Sequence, residues 1–168
     1  MTMTGGSMLW VGWLAFCGGC ALAANGFAMW VVVNTMLGAA AGTVAWVLVE
    51  WQHRGKPSML GAVSGAIAGL VAITPACGFV GPMGALVVGA VSSPICIWAV
   101  EKLKPMIGLD DSFDVFGVHG VGGIVGGLLT PVFALPVLGG LGFAEGRDLA
   151  SQMPAQLLAL GFSIVYAA

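Results

Sequence analysis

The first 49 residues, Met1 to Val49, contain no Asp, Glu, Lys, Arg or His, and the same is true from Ser58 to Val100. Each run is about twice the roughly 20 apolar residues that cross a bilayer, so each is expected to fold as two helices. The first breaks at Asn25-Gly26. The second breaks in Thr74-Pro75-Ala76-Cys77-Gly78-Phe79-Val80-Gly81-Pro82, where proline and glycine interrupt the apolar pattern. Two further apolar segments follow. The pattern predicts helices near residues 7–24, 27–49, 58–76, 84–101 and 113–134, and a last one from about 152 to the C-terminus.

Composition agrees with that pattern. Hydrophobic residues make up 59% of the 168-residue chain and charged ones 7%, which excludes a soluble globular domain. The prediction is an all-α integral membrane protein, a polytopic helical bundle. A cleaved signal peptide does not fit, because the N-terminus lacks a basic start and its apolar run outlasts the short core of such a peptide.

The few charges sit in the connections. Arg54 and Lys56 follow the second helix and Lys102 and Lys104 the fourth, which places both connections on one side, predicted to be cytoplasmic together with the N-terminus. The formal net charge is −2, and no basic cluster is present, so nucleic acid is not a partner; the lipid bilayer is. Small residues recur at four-residue spacing (Gly61, Gly65 and Gly69; Gly38 and Gly42; Gly122 and Gly126), the spacing that lets membrane helices approach closely.

Against this background Asp110-Asp111-Ser112-Phe113-Asp114-Val115-Phe116-Gly117-Val118-His119-Gly120 is exceptional, because it carries an imidazole into an uncharged helix. An ionisable group at membrane depth is costly and marks a pathway, a partner or a proton-transfer step. Ser112 is expected to cap the fifth helix, with Asp110, Asp111 and Asp114 near its positive end. From Phe113, the rise of about 1.5 Å per residue puts His119 about 9 Å along the helix. His53, between Gln52 and Arg54, reads as a solvated loop residue. Cys17-Gly18-Gly19-Cys20 formally spells C-x-x-C but lies in an apolar helix without basic neighbours, so it and Cys77 and Cys96 read as small buried hydrophobes. The glycines match no dinucleotide fingerprint, and neither cofactor nor metal site nor enzyme chemistry is indicated.

The run Asp114-Val115-Phe116-Gly117-Val118-His119-Gly120-Val121-Gly122-Gly123-Ile124-Val125-Gly126 resembles the signature helix of the ammonium transporters of the Amt/Mep/Rh family. Arg54-Gly55-Lys56-Pro57-Ser58, Ile73-Thr74-Pro75-Ala76-Cys77-Gly78 and Gly142-Phe143-Ala144-Glu145-Gly146 add to the likeness, in the family's order. The resemblance implies that residues 1–168 are the C-terminal half of an ammonium transporter domain. They would hold five complete helices and a truncated sixth, the second of two inverted repeats. It further implies ammonium or ammonia transport in the cell membrane, a homotrimeric assembly and a partner in the missing N-terminal half.

Carried over by position, His119 resembles one of two pore histidines that share a proton. Phe16 resembles the inner of two stacked gate phenylalanines and Trp13 a pore-lining tryptophan. Ser64, Thr74 and Val115 fall near the pathway, and Asp114 resembles a structural carboxylate. Cys17 stands where the family usually has Asn, and Cys20 where a Ser often helps recruit ammonium. A nontransporting fragment and an ammonium sensor are the alternative functions.

Overall fold

The computed structural model describes residues 1–167 as six helices and a short 3-10 helix at Pro136–Leu138, with no strand among them. The six are α1 (Thr2–Gly19), α2 (Gly26–Arg54), α3 (Met59–Ile73), α4 (Pro82–Met106), α5 (Phe116–Phe133) and α6 (Leu149–Ala167). Length and composition allow α2, α4, α5 and α6 to cross a membrane, while the apolar 15-residue α3 is shorter. Helical turns after α3 continue its path, with the amide of Cys77 donating to the Ile73 carbonyl at 2.7 Å.

Several ends differ from the sequence expectation. Asn25 caps α2 as the break implied, accepting from the Ala28 amide. α2, however, runs on to Arg54, so His53 and Arg54 are helical and not in a loop. Gly55 stops it with φ of 74°, a left-handed conformation that glycine adopts without steric cost. α4 likewise extends through Lys102 and Lys104, passing through a π-turn at Ala99–Leu103. Long basic side chains reach water from such positions, so they do not end a membrane helix where their charge begins.

The centre of the bundle is α2 packed on α3 and α4. Glycines make this possible. A Cβ on Gly42 would lie 2.6 Å from the Gly65 carbonyl oxygen, and one on Gly38 2.7 Å from the Ile73 side chain. The recurring glycines therefore form crossing points at which backbones touch directly, as their spacing predicted. Ser93 donates to the Gly42 carbonyl at 2.7 Å, and buried Asn34 donates to the carbonyls of Cys77 and Val80, tying α2 to the turn before α4.

Most of the charges gather at one end, apart from Glu145, Arg147 and Asp148 in the connection between α5 and α6. Glu50, at the end of α2, is buried and accepts from the amide and hydroxyl of Ser58 at the start of α3. Arg54 lies 3.3 Å from Glu50 and 2.6 Å from Glu101 of α4. Lys104 pairs with Asp114, joining α4 to the start of α5. Apart from buried Glu50 the partners are partly exposed, and such ion pairs contribute little net stability, but their geometry fixes which helix ends meet.

Candidate functional site

His119 lies in a π-turn, Phe116–Gly120, that opens α5. The cap of this helix is Asp111, not Ser112. The Asp111 carboxylate accepts from the amides of Val115 and Phe116 at 2.8 Å each and of Gly117 at 3.3 Å, whereas Ser112 donates to Asp110. A carboxylate reaches three amides where a hydroxyl would satisfy one, so it wins the capping position. Asp114, just before the helix, has φ of 56° and is held by Lys104, which also donates to the Asp111 carbonyl. Because α5 starts at Phe116, His119 sits one turn into the helix, shallower than the count from Phe113 implied.

The π-turn delivers the imidazole to α1. The rings of His119 and Trp13 stack with centroids 6.0 Å apart and planes 29° from parallel. Trp13 is fixed from the other side, its indole N–H donating to the Thr74 hydroxyl at 2.8 Å, and that hydroxyl donates to the Leu70 carbonyl at 2.7 Å. One hydroxyl thus serves as acceptor and donor, which sets the plane of the indole and through it the seat of the imidazole. Three of the residues singled out from the sequence, far apart along the chain, form one assembly.

The others do not join it. Phe16 is 60% exposed and Val115 53% exposed; Phe16, with Met8, Leu9, Gly12 and Trp13, lines an apolar groove along α1. Ser64 lies ten residues before Thr74 on α3, about 15 Å away. It faces a separate cavity of about 130 Å³ at the charged end, shared with Glu50, Arg54, Ser58, Glu101 and Asp114. Glu50 and Lys104 were not singled out from the sequence, although opposite charges at the ends of neighbouring apolar segments are the signal that could have found them.

His119 is exposed at its place on α5, and so are Phe16 on α1 and much of α6. Opposite that open face, Gly122 and Gly126 press α5 onto Val71, Ala72 and Cys96. The sequence therefore makes one side of α5 a packing surface and leaves its imidazole on another.

A family model described as the Ammonium Transporter Family matches residues 1–168. The chain belongs to that family. It is 46% identical over 167 residues to an ammonium transporter of Bacillus subtilis, covering 98% of this chain and 41% of that protein. The ammonium transporter Amt1 of Archaeoglobus fulgidus is 42% identical over 169 residues. Among solved structures, Saccharomyces cerevisiae Mep2 superposes with a TM-score of 0.83 at 34% identity, covering 96% of this chain and 40% of that one. A structure described as a sensor Amt protein gives 0.84 at 29% identity. The chain thus spans about two fifths of the length of the relatives it matches. These matches, with the apolar helices, identify a multi-pass membrane protein and bear out the resemblance read from the signature helix.

Proposed function

We propose that this chain is the second half of an ammonium transporter and supplies one wall of its conducting pathway, with His119 as the wall's ionisable residue. The observation that carries the reading is the His119–Trp13–Thr74 assembly, an imidazole held by ring stacking and relayed hydrogen bonds on the open side of the bundle.

The chemistry follows from the side chains. A passage bounded by Trp13, Phe16 and Val115 opposes a bare cation, since desolvating a charge among apolar groups costs far more than those groups return. Ammonium then has to shed its proton or meet a compensating acceptor on the way. A neutral imidazole has one donor and one acceptor, so His119 can present a ring nitrogen to a passing amine while its other nitrogen engages a second group. In this reading that group is a second histidine, contributed by the N-terminal half, and the two rings share a proton. Phe16 gates the outer side of the assembly, Val115 lines the stretch one turn before His119, and Thr74 acts through Trp13. Ser64 lies deeper, toward the charged end, and Asp114 acts structurally by fixing the start of α5. The charged end faces the cytoplasm with the N-terminus, the membrane is the cell membrane, and the assembly is a homotrimer with one pathway per protomer.

The test is labelled methylammonium uptake into proteoliposomes containing this chain with a first-half chain from a family member. Uptake in the mixture that falls on His119→Ala, with insertion unchanged, is the expected result. Uptake unaltered by that substitution would remove His119 from the pathway, and absence of uptake in any mixture would favour a nontransporting fragment.

A further inference from the structure

We infer that Cys17 and Cys77 form a two-thiolate site for a divalent thiophilic cation, placed directly behind the Trp13–Thr74 bond. The two thiols come from distant segments, α1 and the turn after α3, and meet around one residue. Cys17 Sγ lies 4.0 Å from the Thr74 hydroxyl, and Cys77 Sγ donates to the Thr74 carbonyl at 3.3 Å. Both belong to the same buried cluster, at 2% and 7% exposure. The relevant pair is thus not the C-x-x-C of the sequence, because Cys20 is exposed while Cys17 turns inward.

Ligand chemistry and charge choose the cation. Soft thiolates favour soft metals, and a pair of them suits linear coordination. Zinc would require about four ligands, and the described residues contain no group of three or more His, Cys, Asp or Glu able to hold a metal. Two thiolates and one divalent cation sum to zero charge, which matters where no counter-ion is at hand; a monovalent cation would leave a buried anion. Mercury(II) meets both conditions. On binding, two S–H bonds break, two S–Hg bonds form and two protons leave to water, with no electron transferred. Cys20 lies one helical turn from Cys17 and, being exposed, offers a first point of capture.

Coordination pulls Cys17 and Cys77 away from Thr74, so the hydroxyl that orients Trp13 changes its surroundings and the site becomes an inhibitory one. The transport consequence rests on the function proposed above; the coordination does not. The experiment adds Hg2+ to the full chain, paired with a first half, carrying Cys20→Ser and Cys96→Ser, and reads X-ray absorption at the mercury edge beside methylammonium uptake. Two sulfurs per mercury, lost on Cys17→Ser or Cys77→Ser, with uptake abolished by Hg2+ only when both thiols are present, is the expected result. One sulfur per mercury would overturn the site, as would coordination unchanged in Cys17→Ser. Two sulfurs with uptake insensitive to Hg2+ would overturn the inhibitory role, whereas two sulfurs in a preparation that never transports would count against the transport reading alone.

Discussion

The interface of α2 with α3 and α4 and the open face of α1 and α5 are built by opposite rules. In the first, glycines bring backbones into contact, Ser93 and Glu50 bond neighbouring helices, and the Asn34 amide nitrogen bonds the turn before α4. In the second, large side chains such as Phe16, Val115 and Met8 stand exposed, and the order that exists rests on one stack and two hydrogen bonds. Close backbone packing leaves no room for a passenger, and a face without it can present chemistry. The division of labour is a rigid platform and a lightly held site.

The comparison breaks most visibly at the platform. Gly42→Leu forces a side chain into the Gly65 backbone, and overpacking of this kind costs about 1–3 kcal/mol or more. The expected outcome is loss of monodisperse protein on size-exclusion chromatography in detergent; an unaltered profile would show that α2 and α3 can part without unfolding. On the open face, His119→Ala is expected to leave that profile intact and to reduce uptake about tenfold, which corresponds to about 1.4 kcal/mol of barrier. Thr74→Val removes the acceptor of the Trp13 indole while nearly conserving shape. Its effect on uptake should be in the same direction and smaller, with a shifted tryptophan emission that reports the freed indole.

Glu101→Gln tests the charged end, where Arg54 bridges α2 and α4 from exposed positions. Surface pairs contribute about 0–1 kcal/mol, so a small drop in melting temperature that vanishes at high salt is expected. The smallest effect belongs to Asp148 at the start of α6. The Ser151 amide donates to its carboxylate and its own amide donates to the Ser151 hydroxyl, a reciprocal cap that holds the carboxyl below its ordinary range. A group with a depressed folded value stabilises above its unfolded value and ceases to do so as pH falls through the folded one. α6 should therefore fray first in acid, and Asp148→Asn should remove that pH dependence in amide hydrogen exchange.

Much of this platform was legible in the sequence. Charge-free runs of twice the spanning length forced a helix pair in each, Asn25 marked the first break, and glycine spacing announced the crossings. The helix ends were less so, because Arg54 and Lys104 are charged yet helical, and their side chains escape to water without ending the backbone spiral. The cap was misassigned to Ser112 because spacing alone does not say which of several adjacent acceptors turns back toward the amides. For the site, the family signature drew attention to His119, Trp13 and Thr74, but their mutual contact depends on segments about 60 residues apart along the chain, and no local periodicity encodes that. Ser64 and Phe16 look equivalent to Thr74 in sequence, yet Ser64 faces the charged-end cavity and Phe16 stands exposed beside Trp13 in the α1 groove.

The π-turn of Phe116–Gly120 has an implication for how such a site can change. A turn of this kind holds one residue more than an α-turn, so the residues before it are offset by about 100° relative to those after it. Gly122 and Gly126 are held against the neighbouring helices, whereas tightening of this π-turn into an α-turn with no residue lost would swing Asp114 and Val115 by about 100° around the axis. The helix is thereby divided into a conserved-register anchor and an independently indexable mouth, and the wall leading to the imidazole can be re-aimed without disturbing the platform behind it.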